Sequence, residues 1–181
     1  MILRAFRRIS RNRNILALYG AIVAQARSPA FYTAYAVPDT VDGRFELIVL
    51  HVVLVLRRLG QDDEAARKAG QQLFDVFCRD LDHNLREMGT GDVAVPREMR
   101  RFGEAFYGRQ AAYDAALAGG DPRELENTLA RNIFAIVGVD DRAVRLARYA
   151  LAAAARLGTA ETAALVAGNP VFPSPEDFAH A

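Results

Sequence analysis

The chain has 181 residues, a formal net charge of +1 and a single cysteine, Cys78. This length fits one domain that buries roughly 70% of the surface exposed by its unfolded form, so no disulfide or metal is needed for stability. Because the net charge is close to zero, the chain has little bulk attraction for nucleic acid, and we expect no DNA partner. A lone cysteine excludes an internal disulfide, and its helical apolar context favours a buried thiol.

Residues 1–13 form a basic amphipathic N-terminal segment without any acidic residue. Their apolar side chains fall on one side of a helix, and arginines cover much of the rest. Such a segment can lie on an anionic membrane surface. A frayed, solvated turn and a transit peptide are the alternatives, whereas a secretory signal lacks its apolar core here. The membrane-surface prediction names Arg4, Phe6, Arg7, Arg8 and Arg11.

The spacing of apolar residues also predicts the next elements. A helix is predicted over residues 14–26, and Ser28–Pro29 ends it because the residue before proline avoids helical geometry. An aromatic stretch at residues 31–35 predicts a short helix followed by a loop. Asp39 or Thr40 is expected to cap the helix that comes next, by accepting hydrogen bonds from its free backbone amides.

A central helix is the most informative prediction. Between Gly43 and Gly60 the chain reads RFELIVLHVVLVLRRL, an apolar run interrupted only by Glu46 and His51. A helix that is apolar on every side belongs in the middle of a core, and about a dozen apolar residues are too few to cross a bilayer. For His51, a hydrogen-bonded core histidine is favoured over a cofactor ligand or a catalytic group.

The second half of the chain continues the helical pattern. Gly70, Gly103 and Gly108 fall inside predicted helices, where each glycine costs about 1 kcal/mol relative to alanine. Gly70 indicates a close helix approach or a break, and the other two indicate close packing or a partner that needs bare backbone. The predicted helices span residues 62–88, 96–119, 121–138, 140–158 and 159–167.

No stretch shows the alternation of half-buried strands, and no internal repeat is visible. We therefore expect an all-α fold: a single-domain helical bundle of about seven helices around one apolar central helix. The segment 1–13 precedes the helical domain, which is predicted over residues 14–168. Residues 169–181 are a proline-rich extended tail that lies along the body or hangs free.

Chemistry-bearing residues are sparse. Asp80, His83 and Glu87 share a helix face, but a helical di-iron site needs a second carboxylate–histidine pair on another helix, which the remaining histidines do not supply. Asp80 and Asp82 point to different sides, unlike the aspartate motifs of prenyl-chain synthases. No glycine-rich phosphate loop and no G-x-S-x-G motif occur. We therefore expect no catalytic residue, no cofactor, no metal and no enzyme activity.

The stretch from Leu18 to Tyr113 resembles the ubiquinol–cytochrome c chaperone family. The matching strings are LYGAIVAQARSPAFYTAYAVPDTVDGRFELIVLH and LFDVFCRDLDHNLREMGTGDVAVPREMRRFGEAFYGRQAAY. The resemblance implies an all-helical, non-catalytic chaperone that binds newly made cytochrome b and assists assembly of the cytochrome bc1 complex. It also implies a peripheral location on the cytoplasmic face of the bacterial inner membrane, or on the matrix side in a eukaryote.

Mitochondrial members work with a small partner protein at the ribosome exit. This chain resembles a shorter, bacterial-type member without their long N-terminal extension, so the resemblance leaves the ribosome and small-partner roles open. The matched strings and a neighbouring basic patch supply the partner-binding prediction, since aromatic rings and arginine both suit partly buried contacts. The predicted residues are Arg27, Phe31, Tyr32, Asp42, Arg44, Asp80, Asp82, Arg86, Glu87, Arg97, Arg101, Tyr107 and Arg109.

Three readings can be separated by where the aromatic side chains point. An assembly chaperone predicts an exposed apolar or aromatic patch edged by arginine. The alternative function, a helical carrier of a hydrophobic small molecule such as a quinone or lipid, predicts an enclosed apolar cavity near His51. A metal- or diphosphate-dependent enzyme predicts carboxylates converging in a pocket, which the spacing does not favour. The arginines around residues 97–101 suit RNA or phospholipid headgroups, with a solvated face as the simpler explanation.

Overall fold

The structure is a computed structural model that describes the backbone of residues 2–179 and the side chains of residues 13–179. Over these residues the fold contains helices and no strand, which confirms the predicted all-α single-domain bundle. Six long helices and two short ones form it. They are α1 (Ile2–Ala26), α2 (Ala30–Thr33), α3 (Val41–Gly60), α4 (Glu64–Glu87), α5 (Val95–Gly119), α6 (Pro122–Asn132), α7 (Asp141–Thr159) and α8 (Thr162–Val166), followed by a 3₁₀ helix at Pro175–Phe178.

α3 is the predicted central helix, and it packs against α1, α4, α5 and α7. Its residues from Leu47 to Val55 are all buried, which removes both faces of the apolar run from water. The side chain of Thr40, not of Asp39, caps it by accepting a hydrogen bond of 3.1 Å from the amide of Gly43. A Cβ at Gly43 would lie 2.1 Å from the carbonyl oxygen of Pro38, so only glycine fits this close approach.

The helix predicted over residues 121–138 ends early, at Asn132. The backbone of Ala135 takes a positive φ of 53°, which stops helical geometry and turns the chain. The amide of Ile136 then donates to the carbonyl of Ala130 at 3.1 Å, so the carbonyl left free at the helix end is satisfied. The extra residues form a loop beside α6.

The interior glycines have two different explanations. A Cβ at Gly70 would meet Leu59 at 3.6 Å, so the predicted close helix approach is confirmed there. Around Gly103 and Gly108 no atom of the described residues would come within 4 Å of an added Cβ. Close packing inside the bundle is therefore the wrong explanation for these two glycines of α5.

The tail, residues 169–179, lies along the body. Gln25 donates its side-chain amide to the carbonyl of Pro173 at 3.1 Å, and the Tyr35 hydroxyl donates to the carbonyl of Pro175 at 2.6 Å. Both prolines are buried. The tail therefore closes one side of the bundle.

No helix among the described residues is long and apolar enough to cross a membrane.

Candidate functional site

A chain of hydrogen bonds runs through the middle of the core; we call it the His51 chain. Nδ1 of His51 lies 2.7 Å from the carbonyl of Leu47, and Nε2 lies 2.8 Å from the hydroxyl of Tyr149. A carbonyl can only accept, so Nδ1 carries the proton and Nε2 accepts from Tyr149. The Tyr149 oxygen in turn accepts from Gln25 at 3.0 Å. Every ring nitrogen of this neutral histidine is thus satisfied.

Burial lowers the pKa of His51 to about 4, because a charged ring would lose its hydration in the core. The hydrogen bond with the carbonyl of Leu47 opposes only part of this fall. Burial also raises the pKa of Tyr149, so both groups of the pair stay neutral. The rings of Phe31 and Phe172 stand edge-on to the imidazole at 5.5 and 5.3 Å between centroids. These contacts confirm the core-histidine prediction.

The carrier hypothesis required a cavity beside His51. Two clefts among the described residues are open grooves on either side of α5, and His51 lines neither of them. Phe31, Tyr35 and Phe106 face inward and are at most 1% exposed, with other rings packed against them. The geometry therefore gives the carrier hypothesis no support.

Several predicted partner-binding residues meet at the start of α3. Arg44 forms an ion pair of 2.5 Å with Asp39 and lies over the ring of Tyr32 at 5.9 Å from its centroid. Arg27 and Asp42 are exposed nearby in the chain. This group, residues 27, 32, 39, 42 and 44, is named the α2–α3 patch. Phe31 differs from the others because it is fully buried in the core and does not reach the surface in this structure.

The end of α4 carries a second group of predicted residues. Arg86 bridges two carboxylates, Asp82 on its own helix at 2.8 Å and Asp92 in the following loop. These contacts hold down the pKa of the Asp82 carboxyl and leave the group on the surface. Glu87 pairs with His83 at 3.1 Å. The predicted charged face therefore exists, and its ion pairs lie within α4 and the loop.

Asp80 and Arg109 hold helices together. The Tyr19 hydroxyl donates to the Asp80 carboxylate at 2.7 Å and ties α1 to α4. Nε of Arg109 donates to Glu46 at 2.6 Å, and a second contact makes the pair bidentate. Burial raises the pKa of Glu46 although Arg109 opposes the rise, so desolvation offsets part of the attraction. Asp80 and Arg109 therefore have a structural role in joining helices, and their predicted contact with a partner stays a prediction.

Aromatic contacts bring the separate groups to one end of the bundle. Phe45 of α3 stacks on Phe77 of α4 at 6.2 Å and stands edge-on to Phe102 of α5 at 5.4 Å. The first turns of α3 and α5 therefore lie beside the later turns of α4. Arg97 and Arg101, exposed on α5, adjoin this end, and Arg101 pairs with Glu98 at 3.2 Å.

The structure describes only some of the remaining predicted residues. Tyr107 is 59% exposed and can contact a partner directly. Among the described residues no group of three or more histidine, cysteine, aspartate and glutamate side chains could hold a metal ion. The side chains of the membrane-surface prediction lie outside the described residues; they are Arg4, Phe6, Arg7, Arg8 and Arg11.

Sequence reasoning missed the two clefts that flank α5. The cleft between α5 and α6 has a volume of about 460 Å³ and includes Ala112, Ala115 and the loop residue Val137 in its lining. The cleft between α4 and α5 has a volume of about 220 Å³ and is lined in part by Phe74 and Tyr107. The only sequence signal was the unexplained pair of interior glycines on the helix between them.

A family model and a curated relative both match this sequence. The family model described as "Ubiquinol-cytochrome C chaperone" matches residues 33–172. A curated relative from Xenopus laevis, "Ubiquinol-cytochrome-c reductase complex assembly factor 1", is 27% identical over 119 residues, which cover 66% of this chain and 59% of that protein. The chain thus spans less than two thirds of the length of this curated relative.

A solved structure is similar over nearly the whole length of both chains. The crystal structure of the Cbp3 homolog from Brucella abortus shares 38% sequence identity with a TM-score of 0.88, covering 97% of this chain and 98% of the other. The family match extends over most of the 181 residues, and the structural match supports it at the level of the fold. The chain therefore belongs to the ubiquinol–cytochrome c chaperone family.

Proposed function

We propose that this protein is a non-catalytic chaperone that binds newly made cytochrome b and assists assembly of the cytochrome bc1 complex. The observation that carries the proposal is the match of residues 33–172 to the family described as "Ubiquinol-cytochrome C chaperone". The Xenopus laevis relative, whose name is that of a reductase complex assembly factor, supports the same process. Cytochrome b as the client is the finer part of the proposal.

The side chains support action by binding. His51, which is fully buried, is held neutral inside the core by the His51 chain. Several charged groups instead join helices, as Glu46 and Asp80 do. The surface, in contrast, offers exposed apolar side chains of the kind that contact other proteins, such as Tyr107 at 59% and Val137 at 105% exposure.

Peripheral attachment to the inner face of the membrane is part of the proposal, because the client is made there. The arginines of residues 1–13 would contribute about 1 kcal/mol each close to an anionic surface. Replacing Arg4, Arg7, Arg8, Arg11 and Arg13 by glutamine should weaken sedimentation of the chain with anionic vesicles. Insensitivity to both the substitutions and added salt would contradict attachment through this segment.

The function is tested by deleting the gene in a host that has a bc1 complex. We expect spectroscopically detectable cytochrome b and the assembled complex to fall, and the wild-type chain expressed from a plasmid to restore them. A second quinol oxidase of the same host serves as the control and should be unaffected. Unchanged levels of assembled bc1 complex in the deletion strain would remove the proposal.

The identity of the client is tested separately. A tagged chain should copurify with cytochrome b from cells in which the other bc1 subunits are not expressed. Copurification with another subunit in the absence of cytochrome b would keep the assembly role and overturn cytochrome b as the client.

A further inference from the structure

The carboxyl-terminal half of α5 presents an uncharged surface to the outside. From Ala105 to Gly119 this helix carries only two charged residues, Arg109 and Asp114. Both are used against α3: Arg109 pairs with Glu46, and Asp114 accepts from Arg57 at 3.1 Å. The side chains left outside are mostly small and include one aromatic ring. The exposed residues are Ala105, Tyr107, Gly108, Ala111, Ala115 and Ala118.

Such a surface is unusual for a helix that faces water. On the outer face of α4, by comparison, Gln71 donates to Asp75 at 2.9 Å, and Arg86 pairs with Asp82 at 2.8 Å. Charged groups keep a helix face solvated, whereas depletion of charge marks the core of a protein interface. The two outer faces therefore differ in the property that separates interface from solvated surface.

The clefts give the uncharged surface its shape. On one side Tyr107, Phe74 and Leu56 line the cleft of about 220 Å³. Its polar lining residues are Arg67, Gln71 and Gln110. Phe74 and Tyr107 have ring centroids 5.8 Å apart, so the aromatic wall is continuous from half-buried to exposed. A groove with aromatic and aliphatic side chains on its floor and polar edges fits a large apolar side chain of a partner.

On the other side the cleft of about 460 Å³ extends the same surface. Ala112 and Ala115 form its α5 wall, and Val137, which is fully exposed, stands on the loop opposite. Glu124 and Arg131 contribute polar groups on the α6 wall. An apolar centre with a polar border is the usual anatomy of a protein interface.

From these features we infer that the α5 face, residues 105–118 with its two flanking clefts, binds an uncharged apolar α-helix of the client, of the membrane-spanning type. This inference rests on the proposed function. Along the middle of this face, a charged side chain of a partner helix would lose its hydration without finding an opposite charge on α5, so the electrostatics there favour an uncharged helix. The charged groups of the face, Arg67, Glu124 and Arg131, stand in the cleft walls at its border. The space open at Gly108 lets a second helix approach the backbone closely.

The dimensions agree with this partner. Fourteen residues of α-helix extend about 20 Å, which is most of the length of a membrane-spanning helix within the hydrocarbon layer. A second helix lying along α5 would reach both clefts at once. Tyr107 would supply the aromatic anchor, since large rigid aromatic side chains carry much of the binding energy in interfaces.

The test uses the full chain and a labelled synthetic peptide. The peptide is a leucine–alanine helix of about 20 residues with lysines at both ends, kept in dilute detergent below its micelle concentration. Fluorescence anisotropy measures its affinity for the wild type and for Ala111→Glu and Ala115→Glu. The matched control is Ala65→Glu, which places the same charge on an exposed helical position of α4. Circular dichroism verifies that all variants fold.

We expect both α5 substitutions to weaken binding about tenfold or more, because they bury an unpaired carboxylate against the peptide, and the control to bind as the wild type does. Equal affinities across the four proteins, or no binding by the wild type, would overturn the inference. So would a wild-type dimer that Ala111→Glu dissociates in sedimentation equilibrium, since the occupant would then be a second copy. Binding to peptide-free neutral vesicles that the same substitution abolishes would assign the face to lipid and also overturn it.

A cellular arm separates this inference from the proposed function. In the deletion strain we expect Ala65→Glu to restore the bc1 complex and Ala111→Glu not to restore it. If the wild type and both variants restore the complex equally, the α5 face is not the client site although the assembly role stands. If the wild type itself does not restore it, the proposed function fails.

Discussion

α3 is held by polar contacts of opposite character on two of its sides. Toward α7 and the tail it uses the neutral His51 chain, in which no group carries a charge. Toward α5 it uses two ion pairs, Glu46 with Arg109 and Arg57 with Asp114. The neutral side is fully buried. On the charged side the Glu46 carboxylate is buried, but its partner Arg109 and both members of the Arg57–Asp114 pair are partly exposed. Burial depth thus decides which chemistry is used, because an unpaired charge is costly only where water is excluded.

The largest effect is expected on the ion-pair side. Arg109→Ala leaves the buried Glu46 carboxylate without its partner, and we expect the free energy of unfolding to fall by about 4 kcal/mol. Urea denaturation measures it. The double variant Glu46→Leu/Arg109→Leu removes both charges and should recover much of the loss. A single variant as stable as the wild type would show that the pair does not contribute.

On the neutral side, Tyr149→Phe removes the hydroxyl that joins His51 to Gln25. The imidazole Nε2 is then left buried without a donor, and we expect a loss of about 2 kcal/mol. Urea denaturation at pH 7 is again the measurement. Tyr32→Phe is the matched control, because its half-buried hydroxyl bonds a carbonyl at the margin of the fold, 3.2 Å away at Ala26. Equal losses from the two substitutions would contradict the importance of the buried chain.

The two sides should also differ in their response to acid. The pKa of His51 is about 4 in the fold and near 6.5 in the unfolded chain, so the unfolded state gains the proton first. The stabilisation by the neutral ring is complete above pH 6.5 and is lost as the pH falls toward 4. Between pH 7 and pH 5 the wild type should lose about 2 kcal/mol more than His51→Phe. Identical losses would mean that the ring is already charged in the fold.

The smallest effect is expected from a substitution that relieves backbone strain and lies outside both sets of polar contacts. Ala36, after α2, has a φ of 52°, in the left-handed region that glycine adopts without strain. We expect Ala36→Gly to raise the free energy of unfolding by up to about 1 kcal/mol, because relief of strain exceeds the added freedom of the unfolded chain. Ala111→Gly, at an exposed position in the interior of α5, is the control and should destabilise by about the same amount. A loss at both positions would contradict the strain.

Sequence reasoning succeeded where the signal is local. The apolar run containing His51 predicts the buried helix α3, and the polar residues before Gly43 predict its cap within one position. The early end of α6 was missed because an alanine at position 135 gives no sign of a positive φ. Such a conformation depends on the tertiary contacts of the loop, which a single sequence does not display.

Contacts between residues that lie far apart in the sequence account for the other features that the sequence did not predict. Arg109 looked like a surface residue because nothing in the sequence links it to Glu46, which lies 63 positions earlier. Phe31 lies in a surface-like aromatic turn but packs on Tyr149, 4.9 Å away between ring centroids. The clefts beside α5 depend on how α4, α5 and α6 diverge in space. The interior glycines of α5 indicated unusual packing of this helix and did not indicate where a cleft would form.

The tail has a consequence for biosynthesis. Phe172 covers the imidazole of His51, and Phe178 stands edge-on to Tyr149 at 6.3 Å, yet both are translated after every helix from α1 to α8. Until this stretch leaves the ribosome, the nascent helices hold an uncovered aromatic hollow. The fold is therefore completed only when these last residues have been synthesised. A chain that ends before Phe172 leaves the aromatic side chains around His51 exposed and prone to aggregation.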